Sequence, residues 1–326
     1  MEAIISPVDR NLIKAELTPD KFLRDTNKAG NQIYVTTAVE SPHVMREIAR
    51  LREMAFRMAG GGGGHSIDMD EYDTMPVPYK QLFVWDPDAE EILGGYRFIC
   101  GPDVVFKQDG QPVLSTAEMY RFSDRFLSEF LPYTIELGRS FVHPDYQSSK
   151  MGSKSLFALD NLWDGLGAMM VLMPEMKYCF GKVTMYPQYN SVAREIIFAF
   201  LGKFFPDPDA LVAPIQPFPV RMTRSEADVL FPDADFKTSY KVLNKMVRDL
   251  GVNIPPLVNA YMGLSPQMRT FGFAEYKDFG HLIEFAICIP LSEIYEEKKK
   301  RHIESFMRRD RVGRFILNIS NRLKTR

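Results

Sequence analysis

Residues 131–152, LPYTIELGRSFVHPDYQSSKMG, decide how the chain is read. Residues 133–137 form a short apolar run, continued through 139–142 until His143-Pro144-Asp145 breaks it, the pattern of a strand ending in a turn. Glu136 and Arg139 stand inside this otherwise apolar strand, where a charge is avoided unless it is paired or put to use. A structural pair between the two and a chemical role both fit. Residues 147–152 are a polar, glycine-containing loop that feeds a helical pattern over 155–166. The first amides of that helix would face the loop, an arrangement that receives anions.

The 326 residues, 45% hydrophobic, are enough for a large core and form one elaborated domain or two packed ones. Cys100, Cys179 and Cys288 lie in apolar contexts without metal-ligand spacing, as buried thiols of a reducing, cytoplasmic compartment do. No signal-peptide pattern opens the chain, and no window approaches about 18 uninterrupted apolar residues. The net charge of -2 is uneven: residues 291–326 carry eleven Lys or Arg against five acidic residues. In that tail Ile303, Phe306, Met307, Val312, Phe315, Ile316 and Ile319 recur at roughly helical intervals. A basic amphipathic helix of this kind lies on an anionic membrane surface, meets an acidic protein, or packs on its own domain. The acidic body, with no aromatic platforms among its basic residues, gives nucleic acid no footing.

Upstream, residues 1–32 are polar and weakly patterned, which predicts an extended arm. Residues 33–39 are rich in β-branched side chains and predict the first strand. Beyond Ser41-Pro42, Val44, Ile48, Leu51, Ala55 and Met58 recur at helical spacing. That helix must stop at Gly60, the first of five glycines. A nucleotide loop joins a strand to a helix, whereas this glycine run follows a helix, so an entrance loop is the better reading. Asp68, Asp70, Glu71 and Asp73 are too closely spaced for a calcium loop, and no metal site is expected. Residues 81–86 and 92–100 flank a turn and predict a hairpin with Arg97 inside its second strand.

Residues 118–130 predict a short helix, 179–187 a strand, and 191–204 a helix capped by Asn190 or Ser191. The proline-rich stretch 206–219 is a boundary or crossover. Short helices are predicted over 241–251 and 255–263. Residues 268–276 and 281–289 predict two strands, with Glu284 embedded in the second. The fold class is α/β: a mixed, mostly antiparallel central sheet flanked by helices, with a helical insertion over about 206–263 and a basic C-terminal helix over 291–326.

This order of elements resembles the GNAT acyltransferase superfamily over residues 34–290. The closer resemblance is to its acyl-carrier-protein-dependent branch, the hemolysin-like N-acyltransferases that make lyso-ornithine and related amino-acid lipids. The features that carry it are RxxxF at 52–56, DMDEYD at 68–73, GGYRF at 94–98, ELGRSFVHPDY at 136–146, LWDGL at 162–166 and FGFAEYKDFGHLIEFAI at 271–287. The first half is also similar to acyl-homoserine-lactone synthases, through Arg52 with Phe56, Asp70 with Asp73, Arg97, and Glu136 with Arg139. Two departures stand out. Lys150 occupies the place of the first glycine in the family's pyrophosphate loop, and Ile196, Ile197 and Phe198 stand where many members have a tyrosine.

The resemblance implies transfer of a fatty or 3-hydroxy-fatty acyl group from acyl carrier protein, or from acyl-CoA, to the amino group of an amino acid such as ornithine or glycine. No cofactor would be tightly bound, the donor being acyl-phosphopantetheine. Glu136 would be the general base, assisted by Arg139. Arg52, Phe56, Asp70, Asp73 and Arg97 would shape the acceptor pocket, arginine taking a carboxylate through paired hydrogen bonds. Phe141, Val142, Gln147, Lys150, Met151 and Gly152 would hold the donor, with Lys150 meeting the single phosphate of a carrier-borne arm. Such an enzyme works in the cytoplasm or on the inner membrane face. An acyl-CoA-dependent N-acetyltransferase and a noncatalytic membrane-binding protein are the competing readings.

Overall fold

The computed structural model describes residues 1–147, 153–232, 235–276 and 282–309. Ten strands are described: β1 (Phe22–Asp25), β2 (Gln32–Thr36), β3 (Lys80–Asp86), β4 (Glu91–Cys100), β5 (Tyr120–Phe122), β6 (Thr134–Val142), β7 (Tyr178–Met185), β8 (Val212–Pro214), β9 (Arg269–Tyr276) and β10 (Leu282–Pro290). Eight helices lie between or before them: α1 (Arg10–Glu16), α2 (Pro42–Met58), α3 (Glu71–Thr74), α4 (Ser153–Leu172), α5 (Ser191–Phe204), α6 (Arg224–Leu230), α7 (Phe236–Asp249) and α8 (Pro256–Met262). Eight strands form one sheet in the order β1-β2-β3-β4-β6-β7-β10-β9, antiparallel except between β6 and β7. This is the mixed, mostly antiparallel sheet that the order of elements predicts.

Period-2 alternation explains the layering. Phe83, Trp85 and Phe141 pack with the buried stripe of α2, whereas Leu82, Val84 and Tyr96 pack under Leu162, Leu166 and Met169 of α4. Further along the sheet, Phe180, Ala286 and Cys288 meet Tyr79, Tyr120 and Phe126, and on the reverse Val183, Phe285 and Ile287 meet Ile197, Phe198 and Leu201 of α5. One face is therefore covered by α2 and the segment 101–133, the other by α4 and α5. The predicted hairpin, the β6 and β7 strands and the α5 helix, with Asn190 capping Val192 and Ala193, stand as expected.

Three expectations need correction. The arm is built into the sheet and core: β1 pairs with β2, Ile13 of α1 is buried, and Arg10 and Lys14 reach Glu91 and Glu90 at 2.6 and 2.7 Å. Glu16 caps α2 by accepting from the amides of His43 and Val44 at 3.1 and 2.8 Å, in place of a Ser41 side-chain cap. Residues 118–130 hold β5, paired with β8, and a single π-turn over Phe126–Phe130 rather than one helix. The stretch 206–263 adds α6 and β8 to the two predicted helices. The tail docks on its own chain as far as it is described: His302 Nδ1 lies 2.8 Å from Asp164 Oδ1, Phe306 is buried, and Asn27 bridges Asp164 and Ser305. Gly167 permits this close approach, since a Cβ there would lie 2.5 Å from the His302 carbonyl oxygen. Val312, Phe315, Ile316 and Ile319 lie outside the described residues. Among the described residues no helix is long and apolar enough to cross a membrane.

Candidate functional site

The site opens where two parallel strands part. β6 and β7 pair only from Thr134–Tyr178 to Leu137–Gly181, after which β7 stays with β10 as far as Met185–Ile283. β6 runs on to Val142 without β7 beside it. A cavity of about 110 Å³ fills the gap, roughly the liquid volume of four waters. Its walls differ on the two faces of the sheet. Arg97, Ser115, Lys182, Thr184 and Glu284 make the α2 side polar, whereas Val183, Leu257 and Tyr261 line the side nearer α4. Tyr261 sits edge-on to Trp163 of α4 at 5.9 Å, so the 206–263 stretch closes that wall. Gly61 lies beside Tyr186 and Leu282, both of which line the cavity.

On the β4–β6 lip, five of the acceptor-site and catalytic candidates form one ion network together with Asp68. Arg52, with no exposed surface, donates to Asp68 at 2.7 Å and to both oxygens of Asp73 at 3.3 and 3.4 Å. Arg97 Nη1 lies 2.6 Å from Asp70 and 3.5 Å from Asp73. Arg139 lies 3.2 Å from Asp68 and from Asp70. Burial opposes ionisation of Asp68 and Asp70, but the surrounding guanidiniums outweigh it and hold both carboxyls below the usual range. Phe56 places its ring 6.0 Å from the Arg139 guanidinium. Asp70 also caps α3, through Tyr72 and the reciprocal bond from its own amide to Asp73, so the network and the helix start support one another.

Glu136 does not pair with Arg139. It is 1% exposed, takes the Tyr79 hydroxyl on one oxygen and the Thr116 amide at 3.0 Å on the other, and does not line the cavity. Burial raises its pKa, outweighing those hydrogen bonds and the charge of Arg97. Distance along the strand keeps the two apart, although β6 carries a bulge between them: Gly138 opposes Arg97 and Phe141 opposes Gly95, so two β6 residues face one on β4, and Arg139 takes φ +48°. In an unbulged strand residues three apart point to opposite faces. The bulge turns Arg139 back toward α2 and α3, but too far along to meet Glu136.

The opposite lip carries charges that the resemblance did not assign. Lys182 Nζ lies 3.0 Å from Glu284 Oε2, and Thr184 donates to Glu284 Oε1 at 2.9 Å. Thr184 and Glu284 are cross-strand partners on β7 and β10, and Lys182 is their diagonal neighbour on the same face. Glu284 is 6% exposed, and Lys182 also stacks over Tyr276 at 4.7 Å. The sequence signal was present: a lone carboxylate in LIEFAI is as anomalous as the one in TIELG.

Of the donor candidates, Phe141 packs its ring into the α2 core, Val142 leans toward the α4 side, and Gln147 donates to the Val142 carbonyl at 2.8 Å. Lys150, Met151 and Gly152 lie outside the described residues. His143 is a turn residue, its Nδ1 accepting from the Asp145 amide at 3.2 Å.

Comparison with known proteins supplies independent information. The acetyltransferase (GNAT) domain family matches residues 51–155. The glycine N(alpha)-acyltransferase of Bacteroides thetaiotaomicron is 58% identical over 307 residues, covering 94% of this chain and 91% of that protein. The protein of the same name from Phocaeicola vulgatus is 57% identical over 308 residues, covering 94% of each. No solved structure matches the chain.

Proposed function

The chain belongs to the GNAT acyltransferases, and from that premise we propose that it joins a fatty or 3-hydroxy-fatty acyl group to the amino group of glycine. The observation that carries this reading is the cavity between the parted strands, polar toward α2 and apolar toward α4. A volume of about 110 Å³ suits an acceptor with almost no side chain, and glycine is the substrate in the names of both relatives. The edge of β6 past Leu137, where β7 has left it, together with Gln147, Lys150, Met151 and Gly152, would take the amide groups and phosphate of a phosphopantetheine arm, leaving the thioester at the cavity. Acyl carrier protein is the preferred donor, because Lys150 suits one phosphate better than a pyrophosphate. The product is amphiphilic and belongs in a bilayer, which the basic residues beyond 309 would approach from the cytoplasm.

Within this reading the ion network forms the acceptor wall, with Arg97, Arg139 and Phe56 facing the cavity and Arg52, Asp70 and Asp73 holding them. Glu136 is a positioning residue. It fixes Thr116 directly and Ser115 through Tyr79, whose oxygen accepts from the Ser115 amide at 3.0 Å, and the Tyr79 ring lies under the Arg97 guanidinium.

The test is to offer the purified protein carrier-linked and CoA-linked acyl thioesters with an amino-acid pool, and to follow amides by mass spectrometry. N-acylglycine from the carrier-linked donor is expected. Product from the CoA thioester alone would remove the carrier protein from the reading, and no amide from either donor would overturn it.

A further inference from the structure

Two buried polar atoms on opposite lips of the cavity lack hydrogen-bond partners among the described residues: Glu284 Oε2, an acceptor, and Arg97 Nε, a donor. Glu284 Oε2 lies within ion-pair distance of Lys182, yet that contact is poorly aligned and no hydrogen bond reaches it. Arg97 Nε lies beside Gly138, 3.8 Å from where a Cβ would stand, and Gly138 is itself a cavity wall. Buried polar atoms are almost always satisfied, so two orphans of opposite kind around one small cavity ask for a ligand that brings both a donor and an acceptor. A free amino acid in its zwitterionic form brings an ammonium and a carboxylate a few bonds apart.

We infer that Glu284 is the catalytic base, receiving the acceptor ammonium on Oε2 and taking its proton, while Arg97 Nε holds the acceptor carboxylate. The inference rests on the N-acylation of an amino acid proposed above and adds the residue that activates the nucleophile. The walls are already balanced in charge: Arg52, Arg97 and Arg139 meet Asp68, Asp70 and Asp73, and Lys182 meets Glu284. A zwitterion enters without upsetting that balance, whereas a bare cation or anion would leave one buried charge unmatched. Glu136 offers no such opening, since both its oxygens already accept hydrogen bonds.

The step balances as follows. The ammonium gives one proton to Glu284, and the freed lone pair attacks the thioester carbon, forming the N–C bond. The C–S bond then breaks, and the departing sulfur receives the second proton of the nitrogen as the thiol forms. One hydrogen remains on the amide, and Glu284 returns its proton to solvent.

Lys182 from β7, Tyr186 just past its end, Tyr276 from β9 and Tyr120 from β5 face Glu284 among the described residues. None of the three phenols is displaced downward, burial foremost raising each.

The experiment is steady-state kinetics with saturating acyl donor and varied glycine, for wild type, Glu284→Gln and Glu284→Asp, across neutral to alkaline pH. At neutral pH, Glu284→Gln is expected to lose about 10²- to 10⁴-fold in kcat/KM for glycine, with partial recovery in Glu284→Asp. The deficit narrows as pH rises and free amine becomes abundant. A loss under about threefold, or a loss that is constant with pH, would overturn the inference. A second measurement needs no variant: competition against glycine on the wild-type protein by glycolate, which lacks the ammonium, and by glycinamide, which lacks the carboxylate. Each is expected to bind about tenfold or more weaker than glycine, and glycolate competing as well as glycine would equally overturn the assignment. Failure of the wild type to acylate any amino acid would instead strike the proposed function, before any variant is made.

Discussion

Glu136 and Glu284 occupy matching positions in the sheet, each in the interior of a buried strand and each on the face covered by α2 and the 101–133 segment, yet their surroundings differ. Around Glu136 each oxygen accepts a hydrogen bond, one from Tyr79 and one from Thr116, and burial raises its pKa. Around Glu284 one oxygen is held by Thr184 and the other is only charge-balanced by Lys182, within a cavity. A carboxylate bonded on both oxygens and away from the cavity shapes protein, whereas one with an unbonded oxygen beside a cavity is equipped for a ligand. A charge out of place in an apolar strand therefore locates a site without saying which such charge does the chemistry.

The comparison breaks most directly through Glu284→Gln, whose expected loss of about 10²- to 10⁴-fold in kcat/KM should exceed that of Glu136→Gln, at about tenfold or less. Equal losses would erase the distinction between base and positioning residue. The next largest effect concerns stability. Asp73→Ala takes from fully buried Arg52 its two-pronged partner and from Gln81 its 2.9 Å acceptor, and should cost about 3–5 kcal/mol in urea unfolding.

Tyr79→Phe removes a hydroxyl that serves Glu136 and the Ser115 amide together, leaving both buried. About 1–3 kcal/mol is expected, with the glycine KM rising more than kcat falls as the Ser115 wall loosens. A cost near zero would mean that this region does not need its saturation.

The smallest effect is a pH slope. Because the folded pKa of Glu136 is raised, its contribution favours the folded state most below the unfolded value near 4.5 and is lost as pH rises toward the folded value. Wild type should therefore lose stability relative to Glu136→Gln with rising pH above about 4.5, by at most about 1.4 kcal/mol per pH unit. Asp68 and Asp70, with lowered values, act in the opposite sense: their contribution is complete above about 3.8 and fades only as pH falls below it. Chemical denaturation from pH 3 to 8 separates the two windows.

Most strands and the long helices were legible from residue order, because β-branched runs, period-2 alternation and capping residues act over a few positions. The opening 30 residues were not. The seven residues of α1 and the four of β1 are too short to hold alone, and they are held by ion pairs to Glu90 and Glu91 and by the Glu16 cap on α2. Residues 118–130 failed for a related reason: β5 exists only because β8, about ninety residues later, pairs with it. The arginines and aspartates of the network were singled out by resemblance, and they do meet. Their pairing was beyond the sequence, because a one-residue bulge at Arg139 changes which face it serves.

By itself, then, the order of residues determined the central strand, its charged interior, the turn that ends it and the helices that flank the sheet, since each depends on neighbours a few positions away. Which carboxylate is sealed and which is open was decided only by the tertiary structure. The pairing and parting of β6 and β7, the close approach of Tyr79 to Glu136 and the meeting of Lys182 with Glu284 across two strands involve groups 44 and more residues apart. No local preference encodes such distances.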